Sequence, residues 1–210
     1  VTIPAPEALE LLREGNRRFA AGEPLQAAVV DPSRRAALAA GQAPLAVVLG
    51  CADSRVPVDL VFDRGPGDLF VVRVAGNVAG LSQIGSIEYA VEQLGTRLVV
   101  VLGHTGCGAV AAAVDDLRRP SADLSPGLRC VLDQIRPVVE ELLAAEPGLD
   151  SGTLARLAVR TNVSLAVDRI RHDSGIIARL IRQDGLLVVG AEYSLVTGIV
   201  DFFNGAPGTG

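Results

Sequence analysis

Four short apolar runs constrain this 210-residue chain more than any other feature. They fall at residues 45–49, 69–74, 98–102 and 186–189, and apart from Arg73 they show no polar alternation. A strand with one wet face alternates apolar and polar residues, whereas a strand covered on both faces does not. The runs therefore predict a parallel sheet with helices on either side. The segments between them supply those helices. Ile87, Ala90, Val91 and Leu94 lie on one face of a crossover helix over residues 86–94, closed by Gly95. A glycine-rich turn leads into a helix over 107–117, and Leu128, Val131, Leu132, Ile135, Val138, Val139 and Leu142 mark a longer one. Residues 151–171 read as a helix capped by Ser151, broken by Asp173-Ser174-Gly175 before a last helix that ends at Gln183. Residues 189–203, with Thr197-Gly198 at the turn, read as a hairpin at the sheet edge.

Ahead of the first strand, residues 6–21 form an amphipathic helix with Leu9, Leu12, Arg13 and Phe19 at helical spacing. Asp31-Pro32 starts a short second helix that Gly41 ends. No repeat or linker divides the chain, so residues 1–210 are expected to form a single α/β domain, with 1–41 as a helical arm. The apolar stripe of that arm has little sequence behind it to form a core, and it is expected to pack on a partner subunit.

Composition removes several classes of function. The net charge is −5, which disfavours nucleic acid as a partner. All 19 basic residues are arginine, so lysine Schiff-base chemistry and a phosphate-binding lysine loop are excluded. Two tyrosines, five phenylalanines and no tryptophan make stacking on bases or sugars a poor fit. The longest apolar run, at 43–52, falls well short of the ~20 residues of a membrane span. The expected location is the cytoplasm, or the periplasm if a leader preceded Val1.

Cysteine and histidine are scarce, so their positions carry information. Two segments follow predicted strands: Gly50-Cys51-Ala52-Asp53-Ser54-Arg55 and Gly103-His104-Thr105-Gly106-Cys107-Gly108. Strand carboxyl ends are where open α/β sheets bind ligands. His104 and Cys107, three apart across a strand-to-helix turn, can face one ion, and Cys51 can complete a Cys, His, Cys set. Such a set suits zinc and leaves a fourth position for water. Spacing alone also admits a redox pair of Cys51 with Cys107, or small buried core residues. Cys130 is the one further thiol, able in principle to close a fourth position. Asp53 and Arg55 are a candidate charge pair, in which the arginine fork decides whether the carboxylate orients a water or becomes a ligand itself.

With these segments and Ile87-Glu88-Tyr89-Ala90 in this order, the chain resembles the β-class carbonic anhydrases over nearly its whole length, from Glu14-Gly15-Asn16-Arg17-Arg18-Phe19 to the closing hairpin. The resemblance implies a four-stranded parallel sheet extended by a fifth, antiparallel strand. It implies one zinc per chain on Cys51, His104 and Cys107, with Asp53 and Arg55 as the catalytic dyad that orients the hydroxide. The implied reaction is reversible hydration of carbon dioxide to bicarbonate and a proton; the alternative is a related zinc hydrolase of carbon disulfide or carbonyl sulfide. It further implies a dimer or dimer of dimers, with N-terminal helices embracing the partner and active sites at the interface. Neither nucleic acid nor membrane is an expected partner.

Val48 stands where members with a separate bicarbonate-inhibition site carry tryptophan, and Gln42 stands where plant-type members carry a substrate-binding glutamine. Phe70, Ala75 and Tyr89 match the apolar wall of the same pocket, so an open, plant-type site is expected. Other positions have plainer readings. Asn77 is expected to hold its loop through backbone contacts, and Arg73 to pair with Asp68 or Glu88. Cys130 is expected to pack in its helix and His172 to lie exposed at a helix end.

Overall fold

The computed structural model describes residues 3–25, 32–120 and 122–207. Helix α1 (Ala5–Ala21) and helix α2 (Pro32–Ala39) precede strand β1 (Ala46–Cys51), and a single-turn α3 (Val58–Val61) leads to β2 (Leu69–Val74). A 3-10 turn at Ala75–Asn77 and α4 (Leu81–Gln93) lead to β3 (Leu98–His104). Helices α5 (Gly108–Arg118), α6 (Pro126–Ala145), α7 (Ser151–His172) and α8 (Gly175–Gln183) follow, then β4 (Leu187–Tyr193) and β5 (Val200–Asn204). The proposed Asp31 cap of α2 lies outside the described residues.

The five strands form one sheet in the order β2-β1-β3-β4-β5. The first four are parallel and β5 is antiparallel to β4, as the apolar runs and the terminal hairpin predict. Every residue of β1 and β3 is buried, because each face of the sheet has its own cover. Val48, Val100 and Leu102 pack with α1 and α3, while Val47, Leu49, Val99 and Val101 pack with α4, α7 and α8. Chain order reverses between β1 and β3, which makes the crevice at their carboxyl ends the switch point where such sheets bind ligands.

Three expectations change in detail. Helix α4 begins at Leu81, five residues before the predicted start; Leu81 is 90% exposed, but the apolar face already begins one turn early at buried Ile84. Asp150, not Ser151, caps α7, its side chain accepting the Thr153 N–H. The stripe of α1 is covered by the chain's own body: Leu9 and Leu12 are buried in the cluster that contains Val48 and Phe62. Gly15 permits this approach, since a Cβ there would lie 1.9 Å from the Phe62 carbonyl oxygen. Buried Asn16 secures the contact, donating to the Val61 and Gly198 carbonyls and accepting the Val200 N–H. The expected burial of this stripe on a partner is therefore corrected; α2, with no buried residue, is the exposed part of the arm.

Candidate metal centre

Cys51 is the last residue of β1 and His104 the last of β3, so the switch point puts them side by side. Cys107 is the N-cap residue of α5, where the helix terminus favours a thiolate. The three ligand atoms all lie within 4.8 Å of one another, and all three residues are buried. The Cys51 and Cys107 sulfurs are 4.0 Å apart. That is far beyond the ~2.0 Å of a disulfide but close to the ~3.8 Å separating two sulfurs on one tetrahedral zinc with ~2.3 Å bonds.

The imidazole is prepared for the same role. His104 Nδ1 lies 3.0 Å from the Thr105 carbonyl, a contact that puts the proton on Nδ1 and the lone pair on Nε2. Nε2 is buried and has no hydrogen-bond partner among the described residues. An orphaned ring nitrogen facing two thiols is what a cation site looks like without its cation. Thr105 is itself anchored to the terminal hairpin: its N–H donates to the Tyr193 carbonyl and its hydroxyl accepts the Leu195 N–H. Two thiolates and a neutral imidazole also match a dication in charge, so the residues fit zinc.

The two sulfurs bias each other's ionisation. The hydrogen bond from Cys107 holds Cys51 well below the usual thiol range against the cost of burial, and the same bond with desolvation pushes Cys107 up. Burial works to lower His104, but the neighbouring Cys51 sulfur, the Thr105 carbonyl and the Asp53 carboxylate outweigh it and the net direction is upward. A dication reverses this pattern by displacing the protons.

Asp53 sits on the rim of the cluster, its Oδ2 3.8 Å from His104 Nε2. Arg55 grips it through both oxygens, Nε to Oδ1 at 2.9 Å and Nη2 to Oδ2 at 2.6 Å, and its backbone N–H adds a third bond at 3.0 Å. The arginine hydrogen bond holds the Asp53 carboxyl well below the usual carboxylate range. Arg55 Nη2 also reaches the Gly106 carbonyl, which ties the dyad to the loop carrying Cys107.

Other predicted residues fall elsewhere. Ala75 follows β2, whose last residue pairs with Cys51, and so adjoins the cluster. Phe70 and Tyr89 touch each other, with ring centroids 6.2 Å apart. Phe70, however, pairs with Val47, four residues before Cys51, or ~13 Å away along the strand. Gln42 is exposed ahead of β1, on that same far edge. One chain therefore brings Ala75 to the cluster but not Gln42, Phe70 or Tyr89. Cys130 is exposed on α6, which removes it both as a packed residue and as a fourth ligand. His172 is exposed at the end of α7, as expected.

Arg73 pairs with neither expected acid: Asp68 is held by Arg34, and Glu88 accepts the Ser174 hydroxyl. It donates instead to the carbonyls of Cys51 and Asp53, at 3.0 and 2.7 Å, clamping the loop that carries both. A charge in the next-to-last position of a strand beside the loop was the available signal. Asn77 does not bond its loop through Nδ2, which is buried without a partner among the described residues. The loop is held by Asn162 of α7, which donates to the Gly76 carbonyl, a role the sequence reading missed.

Fold and site together define a metalloenzyme with a Cys–His–Cys centre at the switch point of a doubly wound sheet. The family described as carbonic anhydrase matches residues 46–200. Carbonic anhydrase 2 of Mycobacterium tuberculosis is 42% identical over 194 residues, covering 91% of this chain and 89% of that protein. A carbonic anhydrase of Pseudomonas aeruginosa is 34% identical, covering 80% of this chain and 77% of that protein. Among solved structures, the β-carbonic anhydrase CafA of Aspergillus fumigatus superposes with a TM-score of 0.74 at 30% identity, covering 83% of this chain and 82% of that one. The chain belongs to the carbonic anhydrase family, in its β class. Family and triad together support zinc-dependent hydration of carbon dioxide as its chemistry.

Proposed function

We propose that the chain hydrates carbon dioxide reversibly to bicarbonate and a proton at one zinc held by Cys51, His104 and Cys107. The observation that carries this reading is the orphaned His104 Nε2 facing two sulfurs at tetrahedral spacing. When bound, zinc lowers the pKa of a coordinated water from 15.7 to about 7 and so supplies a nucleophile at neutral pH. The chain's own residues do the rest. Asp53 Oδ2, 3.8 Å from His104 Nε2, is placed where it would accept a hydrogen bond from the attacking water and orient its lone pair toward the substrate. Arg55 keeps that carboxylate ionised and restrains it from taking the fourth position itself, which supports an open site.

Carbon dioxide offers no charge to grip, so its pocket needs apolar walls and a single donor. Ala75 is in place within the chain. Half-buried Phe70 touches Tyr89, which is 52% exposed, and with exposed Gln42 ahead of β1 they lie toward the strand ends away from Cys51, where they are available to a second copy. The proposed active unit is accordingly a dimer or a pair of dimers, each site walled by the neighbour's Phe70 and Tyr89.

The test is zinc analysis and stopped-flow hydration of the intact chain and of Cys107→Ala. The reading expects one zinc per chain in the first, and sub-stoichiometric zinc with almost no turnover in the second. Full occupancy and normal turnover in Cys107→Ala would sink it, and turnover of carbon disulfide without hydration of carbon dioxide would favour the sulfide hydrolase.

A further inference from the structure

Helix α7 carries one polar residue where its pattern calls for an apolar one. Buried Ala158 and Ala166 stand one turn before and after Asn162, so it belongs to a row of inward-facing residues. An amide in such a row is unfavourable unless it is bonded, and Asn162 is only 2% exposed. Its Nδ2 donates to the Gly76 carbonyl at 2.8 Å, across 86 residues of sequence. On the other side of the same residue, the Gly76 N–H donates to Cys51 Sγ at 3.3 Å.

Gly76 is left-handed, with φ 70° and ψ 16°. A Cβ there would meet the Ile135 side chain at 2.8 Å, so the position admits glycine and little else. Glycine is also the residue freest to rotate. The direction of its N–H is therefore set by what its neighbours hold, and the neighbour that holds its carbonyl is Asn162.

We infer that Asn162 is a positioning residue for the metal centre: by fixing the Gly76 carbonyl it keeps the Gly76 N–H on the Cys51 sulfur, and so sets the donor strength of that ligand. This rests on the reading of Cys51 as a metal ligand. An N–H bond draws electron density from a thiolate, which leaves the metal a stronger Lewis acid and the sulfur harder to protonate. Groups that orient a ligand in this way typically matter 10–100-fold for metal affinity. A merely structural role, satisfying one buried carbonyl, predicts lost stability and an unchanged metal centre.

The experiment substitutes cobalt(II) for zinc and reads the thiolate-to-cobalt charge-transfer band, with zinc affinity measured by chelator competition. Asn162→Ala removes the amide, and Asn162→Leu keeps its approximate size but cannot donate. Both are expected to move the band to longer wavelength and to weaken zinc binding roughly tenfold or more. Asn16→Ala is the control for plain destabilisation, since that buried amide bonds Val61, Gly198 and Val200 and none of the cluster. Should Asn162→Ala not fold, Asn162→Leu, which removes the donor with little change of volume, carries the test. An unmoved band with affinity within about twofold of the unaltered chain overturns the inference, and so does an equal shift in Asn16→Ala. Failure of the unaltered chain to bind stoichiometric cobalt would instead remove the metal reading, and this inference with it.

Discussion

Replacing Arg55 by alanine separates the position of a carboxylate from its charge. Of the three bonds Asp53 accepts from Arg55, the substitution removes the two from the guanidinium and keeps the one from the backbone. It also cuts the link to the Gly106 carbonyl. Asp53 is then free to turn about its remaining bond, toward solvent or toward the fourth metal position. Its pKa climbs back toward the ordinary carboxylate value, which still lies well below neutrality. The group therefore stays charged in any assay near pH 7, and only its orientation is lost. Removing one preorganised polar partner from a reacting centre lowers kcat by on the order of 100- to 1,000-fold, which is the loss expected here. Arg55 is half-exposed, so the melting temperature should fall by no more than ~4 °C. Zinc content should be unchanged, because no ligand is touched. Stopped-flow hydration from pH 6.5 to 9, with metal analysis on the same samples, measures all of this. Arg55→Lys, which keeps the charge but not the fork, should fall between the two. A kcat within about threefold of the unaltered chain would show the dyad to be an ordinary surface ion pair. Loss of zinc would show that Arg55 acts on the metal site itself.

Other outcomes follow from the same geometry. Asp53 is held below its ordinary value, so the stabilisation of its anion is present above that value and lost only as pH falls through the depressed one; hydration rates between pH 6.5 and 9 should therefore rise as a single-proton titration, and a steeper rise with Asp53 on the metal would refute the open site. Asn16→Ala strands two carbonyls and one N–H in the core, a loss of about 3 kcal/mol at ~1 kcal/mol per bond. Thermal unfolding should register it as a drop of ~6–12 °C, and a drop under ~2 °C would mean that the contact between α1 and the hairpin contributes little. Light scattering should report a dimer or tetramer, because Phe70, with Tyr89 against it, lies toward the strand ends away from Cys51; a fully active monomer would contradict the shared pocket.

The sheet was legible because burial on both faces leaves a run with no alternation, and four such runs admit few arrangements. The metal triad was legible for a similar reason: rare residue types at strand ends are brought together by the switch point itself. What escaped reading depended on partners distant in sequence. Arg73 looks like half of an ion pair until β2 is seen to lie beside the Cys51–Asp53 loop, where backbone carbonyls take the place of an acid. Asn162 reads as an ordinary polar residue until its row on α7 is known to be buried. The stripe of α1 was legible as apolar, but whether it covers its own sheet or another depends on Gly15 meeting Phe62, and no local pattern encodes that contact. Gln42, Phe70 and Tyr89 match a family pocket in sequence, yet the parallel register puts them at the far edge from the metal within one chain.

Zinc K-edge X-ray absorption on the purified chain tests the central claim most directly, because it counts the atoms around the metal without reference to activity. The account predicts two sulfurs at ~2.3 Å, one imidazole nitrogen at ~2.0 Å and one oxygen at a similar distance. In Cys107→Ala, any residual signal should hold one sulfur. A shell of four sulfurs, a shell without sulfur, or a chain that purifies free of zinc and does not take it up would contradict the account.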